Sequence, residues 1–234
     1  MLQFEDSLMA SNPPAHLKPR KKPRQARATV TVDAIFEATI QVLLADGPQR
    51  LTTTRVAERA GVSVGTMYQY FPHKHALFYA LNEHYLDVLA QKVESACQAQ
   101  HGASINRMID VLVTTYWNAK TERPEVTRAL YRSVVELDNE PLIKEFARRL
   151  DAATAAMFAS ASDAVFADLP TVNLTLLTSI FGTVRGVFER NLPDPEASAV
   201  HRHLVLMCIA YLEAVKLPPR RAGGYDPAPR ASSH

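Results

Sequence analysis

Apolar residues recur every three to four positions along most of this chain, and almost nowhere do they alternate in twos. That period belongs to helices with one buried face. Residues 32–45 carry Val32, Ile35, Phe36, Thr39, Ile40 and Leu43 at this spacing, with Thr31 placed to cap and Gly47-Pro48 to stop the run. The same logic predicts further helices over residues 53–60, 64–70, 74–98, 105–119, 124–137, 141–166, 172–191 and 196–216. In the long fourth helix the buried stripe reads Leu77, Phe78, Leu81, His84, Tyr85, Val88, Leu89 and Val93. His84 on such a stripe is expected to be a core histidine. The fold class is therefore all-α, with about nine helices.

Residues 51–77 organise the rest. Val56, Ala57 and Ala60 form the inner face of a short helix, and Gly61 supplies the positive φ of a tight turn. Ser63 then caps a second short helix, flanked by the staple pair Val62 and Met67. Phe71-Pro72 ends that helix, because a residue before proline is pushed out of the α region. Two short helices about a tight turn make a helix-turn-helix, whose second helix can enter a DNA major groove. On a helical wheel, Met67 and Phe71 point inward, while Gly65, Thr66, Tyr68 and Gln69 point away. No charge falls between residues 62 and 72, whereas an ordinary solvated face more often carries Lys and Glu. Small, hydroxyl and amide groups suit close approach to base edges.

Charge sharpens this picture. The 234 residues have a net charge of only +2. Residues 18–74 hold ten Lys and Arg against four Asp and Glu, while residues 75–217 hold thirteen against seventeen. A basic end on a mildly acidic body points to an anionic polymer at that end. Residues 18–27, KPRKKPRQAR, carry six cations, Arg24 among them, directly before the helix-turn-helix. Residues 1–28 read as a disordered basic arm able to reach DNA, and residues 218–234 as a disordered tail. Residues 29–75 would be the DNA-binding domain and 76–217 a helical domain for effector binding and dimerisation. The absence of a run of about eighteen apolar residues predicts no membrane span. Cys97 and Cys208 read as reduced core residues of a cytoplasmic protein.

The run T-T-x-x-V-A-x-x-A-G-V-S-x-G-T-x-Y-x-Y-F, followed by P-x-K-x-A-L, resembles the DNA-binding domain of the TetR family of bacterial transcriptional regulators. The likeness extends over roughly residues 30–80. It implies an all-helical homodimer, a ligand-responsive repressor whose two helix-turn-helix units face successive major grooves of a palindromic double-stranded DNA operator. By position in the motif, Thr53 and Thr54 would meet phosphate, as would Tyr68 and Tyr70. Val64, Gly65 and Thr66 would lie nearest the bases, and Lys74 would close on the backbone. His73 stands where the family commonly has Asn or Ser, and His75 where it commonly has an acid. The fourth helix is therefore expected to be capped less well.

In the body, Met108, Leu112, Tyr116, Trp117, Tyr131, Met157 and Phe158 are candidates to line a cavity for a mostly apolar small-molecule effector. Arg185, midway along an apolar helix, would be a buried cation in need of a carboxylate. Phe181, Phe188, Leu204, Met207 and Tyr211 mark the expected dimer face on the last two helices, which would form a four-helix bundle with a second copy. Gly182 and Gly186 in mid-helix suit a close crossing there. Two other classes compete. An enzyme would need a nucleophile-base spacing or phosphate loop, and no such motif occurs. A metal or redox sensor would need ligands that converge, but His73-x-His75 and His201-x-His203 diverge on a helix. Neither a metal nor a cofactor is expected.

Overall fold

The computed structural model describes residues 26–133 and 139–218. Residues 1–25, which hold Arg24 and most of the proposed arm, most of the tail, and residues 134–138 at the expected end of the sixth helix lie outside the described residues, whereas residues 26–28, expected to belong to a disordered arm, are helical. Nine α-helices account for most of what is described: α1 Ala26–Asp46, α2 Thr53–Ala60, α3 Val64–Tyr70, α4 Lys74–Ala99, α5 Ile105–Thr121, α6 Pro124–Ser133, α7 Glu140–Ala159, α8 Leu169–Glu189 and α9 Asp194–Val215.

Helices α2 and α3 have the predicted bounds; the departures elsewhere have local causes. Helix α1 begins six residues early, so Thr31 lies inside it and is not its N-cap. Helix α7 stops at Ala159 rather than 166. The Ser160 hydroxyl bonds the Met157 carbonyl, and Asp163 turns back to accept the Ile105 amide at 2.9 Å. Short polar side chains there compete with the helix for backbone groups. Proline starts α8 and α9 rather than separating them from what precedes. Pro170 and Pro195 sit in the first turns, where a missing N–H costs nothing, and Asp168 caps α8 through the Thr171 amide at 3.2 Å.

Two apolar cores result. One gathers Ile35, Val56, Ala57, Met67 and Phe71 with Leu77 and Leu81 of α4 and, from across the chain, Val126 and Leu130 of α6. The other is built from α4, α5, α7, α8 and α9. Helix α4 joins both, and at 26 residues it is about 39 Å long. Its stripe is interrupted where it passes between them. His84 and Val88 are exposed, not core, and the His84 ring lies 5.2 Å from that of Phe36. On α7, Arg149 binds both carboxylate oxygens of Glu94 and reaches Asp87 at 2.6 Å, tying the body to α4.

By length and composition alone, three of the described helices (α1 from Ala28, α8 and α9) could cross a membrane, although none is an unbroken apolar run, and the expectation of no such helix is corrected to that extent. In this fold the inner faces of α1 and α8 are spent on the cores, whereas most of α9 stays outside them. Both cysteines are free and buried. Burial pushes the Cys97 thiol up to about 12 and Cys208 up to about 11, so neither is a ready thiolate.

Candidate nucleic-acid interface

Thr52 caps α2 by accepting the Arg55 amide at 3.3 Å. Gly61 takes φ +66°, and the Val62 amide bonds the Ala57 carbonyl at 3.0 Å to close the helix end. One residue later Ser63 caps α3 through the Thr66 amide at 3.0 Å, and its hydroxyl is also 2.9 Å from that of Thr66. Thr66 thus arrives at the surface with its rotamer already held. Met67 and Phe71 are buried beneath α3 as the wheel required, and Val62 packs beside them.

What remains outside is a small uncharged platform. Val64 is 41% and Tyr68 42% exposed, Gly65 and Gln69 are exposed, and Thr66 is half-buried. Only the Ser63 hydroxyl, at 3.7 Å, comes near a methyl built on Gly65, so the space beyond α3 is open to a second body. Thr53 is buried, and its hydroxyl donates to the Tyr68 hydroxyl oxygen at 3.4 Å. It therefore positions Tyr68 and does not itself present a phosphate ligand. Tyr70 also turns inward, its ring 6.3 Å from that of Phe71. The exposed hydroxyls at the start of α2 belong to Thr52 and Thr54. Lys74 is half-buried in the first turn of α4.

The joint before α4 is better made than the sequence suggested. His73 is the cap: its Nδ1 accepts the Ala76 amide at 3.1 Å, as Asn or Ser oxygen would. The imidazole has a lone pair at the needed distance, so the substitution preserves the cap. Two further cations flank the α2 cap outside the expected set: Arg50, which is exposed, and Arg55, which is tied to Asp46 at 3.4 Å and to the Arg50 carbonyl. Their position just before and after the cap was the available signal.

The remaining expectations fare unevenly. Met108, Leu112, Tyr116, Trp117, Met157 and Phe158 all lie in the body core, with Tyr131 against its edge. Arg185 is not buried: its side chain is 65% exposed and pairs with Glu189 one turn on, at 2.6 Å. Among the described residues of the body the buried cation is Lys120, on α5, which an apolar stripe had hidden. Of the proposed dimer residues, Phe188 and Leu204 are in the chain's own core, since the inner side of α8 and α9 packs on α5 and α7. Phe181 and Tyr211 are partly buried against that core, and Met207 is exposed. Among the described residues, no three His, Cys, Asp or Glu side chains group as metal ligands would.

The family model described as bacterial regulatory proteins, tetR family, matches residues 35–81, which carry this platform. A second, for the tetracyclin repressor-like C-terminal domain, matches residues 104–212. The chain belongs to the TetR family. The chain is similar to the nucleoid occlusion factor SlmA of Haemophilus influenzae, 37% identical over 84 residues, or 36% of this chain and 38% of SlmA. The transcriptional repressor KstR of Mycobacterium tuberculosis is 32% identical over 105 residues, 44% of this chain and 46% of KstR. The alignments thus span about two-fifths of SlmA and under half of KstR. A TetR-family regulator of Mesorhizobium loti shares the fold over 84% of this chain and all of its own, with TM-score 0.66 and 17% identity. As a member of the TetR family the chain is a helix-turn-helix DNA-binding transcriptional regulator, a family of regulators rather than enzymes.

Proposed function

We propose that this TetR-family protein is a cytoplasmic, ligand-responsive repressor that binds a palindromic operator as a homodimer and leaves it when a small, mostly apolar effector binds the body. The observation that carries the DNA reading is the α3 platform. Val64, Gly65, Thr66 and Gln69 stand exposed or half-exposed and uncharged above a fully packed base, with Tyr68 held by Thr53 at its edge. Phosphate attraction would come from the flanks: Thr52, Thr54, Lys74 and Arg50, with Arg24 of the arm. The KstR likeness supports repression, and the head–body groove described below supports an effector. A homodimer accounts for the outer face of α8 and α9. Leu174 is 60% and Leu206 61% exposed, and a methyl on Gly182 or Gly186 would meet nothing within 4 Å.

Gel-shift titrations against the DNA upstream of the chain's own gene, run over a series of salt concentrations, test this reading. Tight binding to one fragment, with affinity falling steeply as salt rises, is expected. Equal binding to that fragment and to random DNA would refute an operator there.

A further inference from the structure

We propose that the groove between α1, α4 and α6 binds a small apolar molecule ending in a single carboxylate, with Lys120 as its counter-ion; this rests on the ligand-responsive reading above. Lys120 is 3% exposed. Its Nζ lies 4.8 Å from the centre of the Tyr85 ring, 4.9 Å from Tyr131 and 5.8 Å from Tyr116. No described carboxylate pairs with it. Lysine is almost never buried unpaired, and ring faces offset only part of the desolvation of an ammonium. A leucine or methionine would fill the same space without that cost.

The three rings of the cage supply no anion. Burial pushes the hydroxyl of Tyr131 up to about 12 and holds those of Tyr116 and Tyr85 above the ordinary tyrosine range, so all three stay neutral. The same burial lowers Lys120 to about 8. The other cations at the groove are already matched: Arg123 with Glu37 at 2.8 Å and Lys92 with Glu122 at 2.7 Å.

Tyr85 belongs both to the cage and to the groove, whose volume is about 330 Å³ and whose wall includes Phe36, Ile40, Val88 and Leu130. That is the size of a small-ligand site, with an apolar floor and a charged rim of Asp33, Glu37, Lys92, Glu122 and Arg123. Thr127 donates to the Lys120 carbonyl at 2.8 Å and so accepts from the Tyr85 hydroxyl at 2.9 Å. This bond latches the ring between groove and ammonium. A carboxylate lying in the groove reaches Nζ when that ring turns aside, and the latch it breaks joins α4 to α6. Phe36 and Ile40 are on α1, so the apolar part of the ligand rests on the DNA-binding head itself.

Decanoate, methyl decanoate, biphenyl-4-carboxylate and its methyl ester serve as probes, with affinity read by calorimetry and DNA release by gel shift on the full chain. Each acid should bind at least about tenfold more tightly than its ester and release DNA. In Lys120→Met the acid should lose about tenfold while the ester is unchanged; Tyr85→Phe, which removes the latch but keeps the ring, should tighten acid binding. Circular dichroism and DNA binding establish that both variants fold. Equal binding of acid and ester, or undiminished acid binding by Lys120→Met, overturns the role of Lys120 while leaving a ligand-responsive repressor intact. If neither acids nor esters bind, the groove proposal falls and ligand response loses its structural support.

Discussion

His73 shows how one side chain can keep a function its residue type seems to abandon. Its Nδ1 occupies the place of the usual cap oxygen, 3.1 Å from the Ala76 amide. Replacing it by alanine should cost about 1 kcal/mol in a denaturant titration and loosen Lys74 on DNA, whereas His73→Asn should restore both. Lys120 makes a second residue-level prediction, with a defined sign. Burial lowers its folded-state pKa to about 8 from an ordinary 10.5. Below pH 8 the ammonium is charged folded and unfolded, and the full penalty, roughly 3 kcal/mol, is present. Between pH 8 and 10.5 the folded chain has lost a proton that the unfolded chain still holds, so the penalty is relieved as pH rises. Lys120→Met should therefore be the more stable protein at pH 7, and the gap should narrow towards pH 10 in thermal melts of the two side by side.

At the scale of elements, α3 is too short to stand alone, and its orientation is set by Met67 and Phe71 below and the Thr53–Tyr68 bond beside it. Tyr68→Phe should weaken binding to operator and random DNA by a similar factor, because a backbone contact positions without specifying. Thr66→Ala should change the ratio between them. Gel shifts on both DNAs separate the two effects, and unaltered binding by Tyr68→Phe at physiological salt would mean that α3 is docked differently. Helix α4 carries the link to the body, with α6 lending Val126 and Leu130 to the head core. The Arg123–Glu37 pair spans the same joint, but both side chains are about half exposed, 46% each, so it is worth under about 1 kcal/mol. Arg123→Ala should scarcely move the melting temperature, and a loss of effector response without loss of stability would identify the pair as a coupling element.

For the whole molecule, the outer face of α8 and α9 is the test of assembly. Leu174, Leu206 and Met207 are exposed there, and Gly182 leaves room for a second backbone to approach. Leu206→Glu should yield a folded monomer in sedimentation, with operator affinity reduced by orders of magnitude because only one half-site is held. An unchanged dimer would move the interface to another face.

The sequence determined the helices, the turn and the composition of the platform, because these depend on local chemistry: period, caps, and a glycine where φ is positive. Helices α2 and α3 were legible to the residue, and the inward Met67 and Phe71 with them. Only the tertiary structure decided which side of a long apolar helix meets its own chain. Phe188 and Leu204 looked like interface residues and are core, while Arg185 looked buried and is solvated. Periodicity states that a face is apolar and not what lies against it. Lys120 was illegible for the same reason: its cage is assembled by tyrosines from α4, α5 and α6, and no spacing within one helix records them.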